Sequence, residues 1–123
     1  MLASSIGWIL VASGAITAAG GITALLFPLP FLRIGFGAKS TDGVTVLFVR
    51  SWGVLVFAIG GLIVYFAYAP AVRNPVLTAA AIEKLALVGL IFFGPVKRTT
   101  AMTAIAIIDG AFAILYVAYL AGV

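Results

Sequence analysis

Hydrophobic residues along this chain form long unbroken runs, not the alternating pattern of half-buried strands. Four such runs cover about residues 6–27, 44–68, 76–93 and 101–123, and proline, glycine and charged residues separate them. A helix needs about 17–25 residues to cross a bilayer, whereas a barrel strand needs only about ten of alternating polarity. The pattern therefore predicts an all-α fold, an integral membrane four-transmembrane-helix bundle that forms a single domain over residues 1–123.

Composition supports the membrane assignment. The chain is 65% hydrophobic and 8% charged, whereas soluble domains average about 25% charged residues. A soluble domain of this size could not cover so much apolar surface. The sequence contains no cysteine, no histidine and no phosphate-binding glycine loop, so we expect no enzymatic activity, no catalytic residues, no metal site and no cofactor.

The charges between the runs predict an orientation. Two loops at one end of the bundle hold four basic residues, whereas the opposite end, with both termini, holds only Arg73. Basic loops face the cytoplasm, so we expect both termini outside a bacterial cytoplasmic membrane. The loop that follows the first run either lies flat among the headgroups or packs on the bundle. We expect the basic loops to contact lipid headgroups, and not nucleic acid, through Arg33, Lys39, Lys97 and Arg98.

Aromatic residues favour the same layout. Tyrosine and tryptophan concentrate at the membrane interface, where their rings meet the headgroups. The ends of the runs on the side of the termini carry five of them, and these predict an interfacial belt: Trp8, Tyr65, Tyr68, Tyr116 and Tyr119.

Four charged residues lie inside the runs: Arg50, Glu83, Lys84 and Asp109. Counted at 1.5 Å per residue from the basic loops, all four fall roughly 9–15 Å deep. Charges persist in a membrane when they are paired and hydrogen-bonded. The sequence therefore predicts a neutral layer of charge across the second, third and fourth helices.

The preferred pair within this layer is Arg50 with Asp109, because both share helix faces with small residues. Glu83 shares its face with alanines and is expected to point into the bundle. Lys84 then points to another groove, a cavity or a neighbouring chain. The layer has three possible roles: it locks the bundle together, it lines a ligand or ion pathway, or it contacts another subunit.

Small residues form a stripe along the first run, and glycines offer a similar surface on the second. Small residues let membrane helices approach closely, within the chain or against a partner. The predicted helix-docking residues are Ser13, Gly14, Thr17, Gly21, Gly53 and Gly61.

Two stretches carry a family resemblance. They are FVRSWGVLVFAIGGL at 48–62 and NPVLTAAAIEKLALVGLIF at 74–92, with an arginine early in the second helix, then glycines, then a lysine in the third. They resemble a broad group of bacterial four-helix membrane proteins that includes the DoxX-like proteins. The resemblance implies a four-helix bundle and no particular activity.

Three functions are compatible with these features. The first is a non-enzymatic accessory or assembly subunit of a larger membrane complex, which docks other integral membrane subunits through the small-residue stripe, Lys84 and the basic loops. The second is a small oligomeric transporter or channel whose path is lined by the charge layer. The third is binding of a lipid or quinone near Arg50 and Lys84.

Overall fold

A computed structural model describes residues 2–39, 42–94 and 97–122. Four long helices run through these residues, and each is long and apolar enough to cross a membrane. They are α1 (Leu2–Leu26), α2 (Gly43–Ala67), α3 (Asn74–Phe93) and α4 (Thr100–Leu120). The described ranges contain no strand. The predicted all-α fold with four membrane-spanning helices is confirmed.

Polar residues in the loops set where the helices begin. Asp42 caps α2 by accepting a 2.7 Å hydrogen bond from the Thr45 backbone N–H. This bond lowers the pKa of the Asp42 carboxyl below its usual range. Thr99 caps α4 in the same way, since its hydroxyl accepts from the Met102 N–H at 3.1 Å. Pro75 lies in the first turn of α3, where its missing N–H removes no helical hydrogen bond.

The segment between α1 and α2 packs on the bundle. A short helical turn at Pro28–Pro30 leads into a π-helical turn at Phe31–Gly35. Leu32 is buried there, and the Phe31 ring lies 5.5 Å from the Trp52 ring of α2. The sequence left open whether this segment lies flat among the headgroups or packs on the bundle, and these contacts favour packing on the bundle.

Glycines bring α1 and α2 into the closest helix contact in the bundle. A β-carbon at Gly14 would lie 2.8 Å from the Gly60 carbonyl oxygen, and one at Gly53 would lie 2.6 Å from the Gly21 carbonyl oxygen. The two glycines of the predicted stripe thus face the chain's own second helix, whereas Ser13 and Thr17 of the stripe form hydrogen bonds with residues of α4 and α3. Gly61 has open space at its β position and takes no part in this interface; its neighbour Gly60 does.

The helix end on the side of the termini holds the larger apolar core. Leu10, Ile63 and Leu77 are buried there around Tyr116, whose hydroxyl shares a hydrogen bond with Ser13. Tyr116 is therefore a core residue, and its predicted place in the interfacial belt is wrong. Three other belt residues are exposed and remain available to headgroups: Trp8, Tyr65 and Tyr68.

Arg73, which the sequence pattern placed in a loop, is buried at the same end. Its guanidinium donates to the Phe66 carbonyl at 3.2 Å and to the Ala67 carbonyl at 2.9 Å. It also donates to the Tyr119 hydroxyl at 3.4 Å. Arg73 therefore caps the end of α2, where free carbonyls and the helix dipole favour a cation. It also binds Tyr119, the last of the five predicted belt residues.

Candidate ligand-binding site in the membrane-spanning bundle

A buried lysine lies at the centre of the bundle. The Lys84 side chain is 1% exposed. Its ammonium donates to the Thr17 hydroxyl at 2.9 Å and to the Asp109 carboxylate at 3.1 Å. It also lies 5.6 Å from the centre of the Phe112 ring. The charge is therefore compensated inside the chain by groups from α1 and α4.

These three polar groups share one depth. Thr17, Lys84 and Asp109 each lie about nine residues from the basic-loop end of their helices. At 1.5 Å per residue that is roughly 14 Å, and a hydrocarbon core of about 30 Å has its midplane at that level. The cluster is therefore central in the membrane, where an unpaired charge is most costly.

Small side chains create the space for this cluster. Lys84 follows Ala80 and Ala81 on one buried face of α3, and Asp109 lies between the buried Ala106 and Ala113 of α4. Long polar side chains fit between helices where the neighbouring turns carry only methyl groups.

The predicted pair of Arg50 and Asp109 does not form, because Asp109 binds Lys84. The residues of α2 that pack inward are Gly53, Val56, Gly60 and Ile63. These inward positions repeat every seven residues, so the position one repeat before Val56 is 49. Arg50 is the next residue and points to a different side of the helix. The Arg50 side chain therefore lies beside the helix interface and is exposed.

The interior position predicted for Glu83 is taken by Lys84, which also borders a cavity, one of the three surroundings predicted for it. Consecutive helical residues point about 100° apart, and it is Lys84 that faces the interior. Glu83 is half-buried and borders a cavity of about 140 Å³. Within the described residues, the Glu83 carboxylate makes no hydrogen bond and no ion pair.

The lining of this inner cavity is mostly apolar and includes a few polar groups. Thr17, Glu83, Lys84 and Asp109 border it together with apolar residues of all four helices. With both acids ionised and the lysine protonated, the charges around it sum to −1. The unpaired carboxylate is thus suited to a hydrogen-bond donor or a positive charge.

A larger apolar groove adjoins the inner cavity. It has a volume of about 390 Å³ and lies between the Phe31–Gly35 turn and the beginning of α2. Phe31, Trp52 and Leu87 border both spaces. The outer wall includes Phe48, which is 69% exposed, so the groove opens on the outer surface of the bundle.

The basic loops contribute a separate feature at the end of the bundle. Lys39, Lys97 and Arg98 border one cavity there, whereas Arg33 is exposed and borders none of the cavities described here. Of the four predicted headgroup contacts, the fold therefore brings Lys39, Lys97 and Arg98 together and leaves Arg33 apart from them.

Sequence reasoning missed Phe31 and Trp52, which border both spaces of the central site. Only one signal was available, the position of Trp52 well inside the second hydrophobic run. Which helix face a tryptophan occupies depends on helix rotation, and that depends on contacts between residues distant in the chain.

Comparison with known proteins adds no assignment. No protein-family model, no curated protein and no solved structure matches the chain. The resemblance to DoxX-like proteins and the expectation of a non-enzymatic role therefore stay predictions.

Proposed function

We propose that the protein binds a lipophilic small molecule with a cationic or hydrogen-bond-donating head in the central site. The observation that carries this proposal is the unpaired Glu83 carboxylate in a cavity that adjoins an aromatic apolar groove and shares three lining residues with it. Ionisable side chains at this depth usually mark a functional site. Ligand pockets likewise combine a mostly apolar lining with a few polar groups that fix orientation.

The division of roles follows from the contacts. Lys84 and Asp109 compensate each other, so their pairing holds two of the polar groups that line the cavity in place. Glu83 meets the polar head of the ligand. Phe31 and Trp52 contact its apolar body, and an aromatic face also attracts a cation. This differs from the predicted lipid or quinone site near Arg50 and Lys84, because Arg50 is not among the residues that line the cavity or the groove, and Lys84 already has partners.

A pair of ions of equal shape and opposite charge provides the test. Tetraphenylphosphonium is an aromatic cation and tetraphenylborate its anionic counterpart. The chain has two tryptophans, so Trp8→Phe leaves Trp52 as the only tryptophan reporter at the site. In lipid nanodiscs, we expect the cation to change Trp52 emission saturably and the anion to leave only the background of empty discs.

Glu83→Gln keeps the shape of the side chain and removes its charge. We expect it to weaken binding of the cation by about tenfold, equivalent to ~1.4 kcal/mol. Arg50→Gln, a charge change outside the cavity, serves as the control and should leave binding unchanged. Equal binding of both ions, or an unaffected Glu83→Gln variant, would contradict the proposal.

The accessory-subunit prediction retains one supporting observation. Arg50 is exposed about seven residues inside α2, roughly 10 Å from its beginning. No acidic partner for it lies among the described residues. A carboxylate on another membrane subunit would compensate this arginine, although a long side chain also reaches toward headgroups.

A further inference from the structure

We infer that the basic-loop end of the bundle holds one anionic phospholipid in a defined site, with its phosphate on Lys39, Lys97 and Arg98. This inference is independent of the proposed function. It rests on a basic cavity and an apolar groove that adjoin each other at the membrane surface.

The basic cavity is built from two loops that are distant in sequence. Its volume is about 360 Å³, and none of the described residues that border it is acidic. The Thr99 hydroxyl donates a 2.6 Å hydrogen bond to the Gly35 carbonyl and so ties the loops together. Gly37 has a φ of +67°, a conformation that favours glycine. Among the described residues, the Thr99–Gly35 bond thus connects the two segments that carry the three cations.

One of these cations is already oriented. The Arg98 guanidinium lies 4.9 Å from the centre of the Phe92 ring at the end of α3. Arg98 and Lys97 also border a second cavity of about 260 Å³ beside Ile91 and Phe92. The stacked guanidinium keeps its edge free for a phosphate, which arginine binds through two parallel hydrogen bonds.

The adjoining groove suits an acyl chain. It has a volume of about 480 Å³, and its lining includes Leu32, Leu87, Leu90, Ile91 and Met102. Phe36 and Gly37 border both this groove and the basic cavity. From the end of α3 the groove reaches Leu87, six residues into the helix, which is roughly 9 Å. The distribution of charge and apolar surface thus matches a phosphate at the interface and a hydrocarbon chain below it.

The first experiment uses the full chain, delipidated in detergent, with lipid binding followed by native mass spectrometry. Phosphatidylglycerol is compared with phosphatidylcholine of the same chain length. We expect the anionic lipid to bind at a stoichiometry of one and to be retained more strongly. Equal retention of the two lipids would overturn the inference.

Two double variants with the same loss of charge separate a defined site from a generally basic surface. Lys97→Gln with Arg98→Gln removes two cations of the cavity, and we expect affinity for phosphatidylglycerol to fall on the order of tenfold. Arg33→Gln with Arg50→Gln removes two exposed cations from the same end and should change affinity less than about twofold. Equal losses in both variants would show diffuse attraction only and would overturn the site.

A final pair of variants tests the acyl groove. Leu90 is 70% exposed and borders the groove, whereas Phe93 is 92% exposed and does not. Leu90→Asn should weaken binding of dioctanoyl phosphatidylglycerol, and Phe93→Asn should not. Glycerol phosphate, which lacks acyl chains, should fail to displace the lipid at the same concentration. Displacement by glycerol phosphate with equal potency would show a site for free phosphate instead.

Discussion

At the residue scale, the Lys84–Asp109 pair is the most consequential contact. Both groups lie near the membrane midplane, and each compensates the other. Removing one partner of a buried pair leaves an isolated charge, which is far more costly than removing both. Each residue of the pair therefore depends on the other for its compensating charge, although the two are 25 positions apart in the sequence.

Lys84→Met should lower the free energy of unfolding by about 3–5 kcal/mol, because Asp109 is left without its cation. The double variant Lys84→Met with Asp109→Leu should recover most of this loss. The free energy of unfolding of both variants is measured by denaturant titration in mixed micelles, with circular dichroism as the signal.

Arg50→Met serves as the control for this comparison. It removes an exposed cation and should change stability by less than about 0.5 kcal/mol. If the single and double variants at Lys84 and Asp109 were equally unstable, the ion pair would not be the source of the loss.

At the residue scale the sequence predicted which charges are embedded and roughly how deep they lie. It did not predict their pairing. Arg50 and Lys84 were equally available to Asp109 by depth, but the rotation of α2 turns position 49, one residue before Arg50, toward the helix interface. Such rotations are set by contacts of the helix face with other helices, and a single sequence does not state them.

At the element scale, α1 and α2 form the tightest unit through two pairs of glycines. Gly14 opposes Gly60, and Gly21 opposes Gly53. The spacing of seven residues on each helix brings both pairs into one interface. Small residues at such an interface allow backbones to approach, and van der Waals contact then replaces contact with lipid.

Neighbouring glycines provide matched tests of this interface. Gly21→Ala and Gly60→Ala should each lower the free energy of unfolding by about 1–3 kcal/mol, because the new methyl group meets backbone atoms of the facing helix. Gly20→Ala and Gly61→Ala place the same group in open space and should change stability by less than about 0.5 kcal/mol. Thermal unfolding in one detergent compares all four.

The opposite result has a clear meaning. If Gly20→Ala and Gly61→Ala were as destabilising as their neighbours, the loss would come from the helices themselves and not from their packing.

The sequence predicted the stripe on α1 but left its partner open, and it favoured Gly61 where Gly60 makes the contact. A glycine doublet shows that one of two faces is used, and only the rotation of the helix shows which.

At the scale of the whole molecule, the bundle has two distinct regions of possible interaction besides its lipid-facing surface. The central site presents an unpaired carboxylate, and the loop end presents a cationic cavity. Arg50 is the exception, since it is embedded in α2 and exposed at the same time. An embedded and exposed cation with no acidic partner among the described residues is the feature that supports the accessory-subunit proposal.

Native mass spectrometry of the protein extracted gently from its own membrane tests that possibility. If the protein is an accessory subunit bound through Arg50, the wild type should retain other membrane subunits and Arg50→Gln should lose them. Arg33→Gln removes an exposed cation in the loop before α2 and should retain them. A monomer carrying only lipid in all three samples would contradict the accessory role.

The sequence by itself determined the fold class, the four membrane-spanning helices and the shared depth of the embedded charges. These follow from hydrophobic length and from the rise of a helix, which are local properties. Only the tertiary structure decided that Lys84 pairs with Asp109, that Tyr116 is buried and that Glu83 borders a cavity. Each of these depends on how helices rotate and pack against one another, and that is decided jointly by residues far apart in the chain.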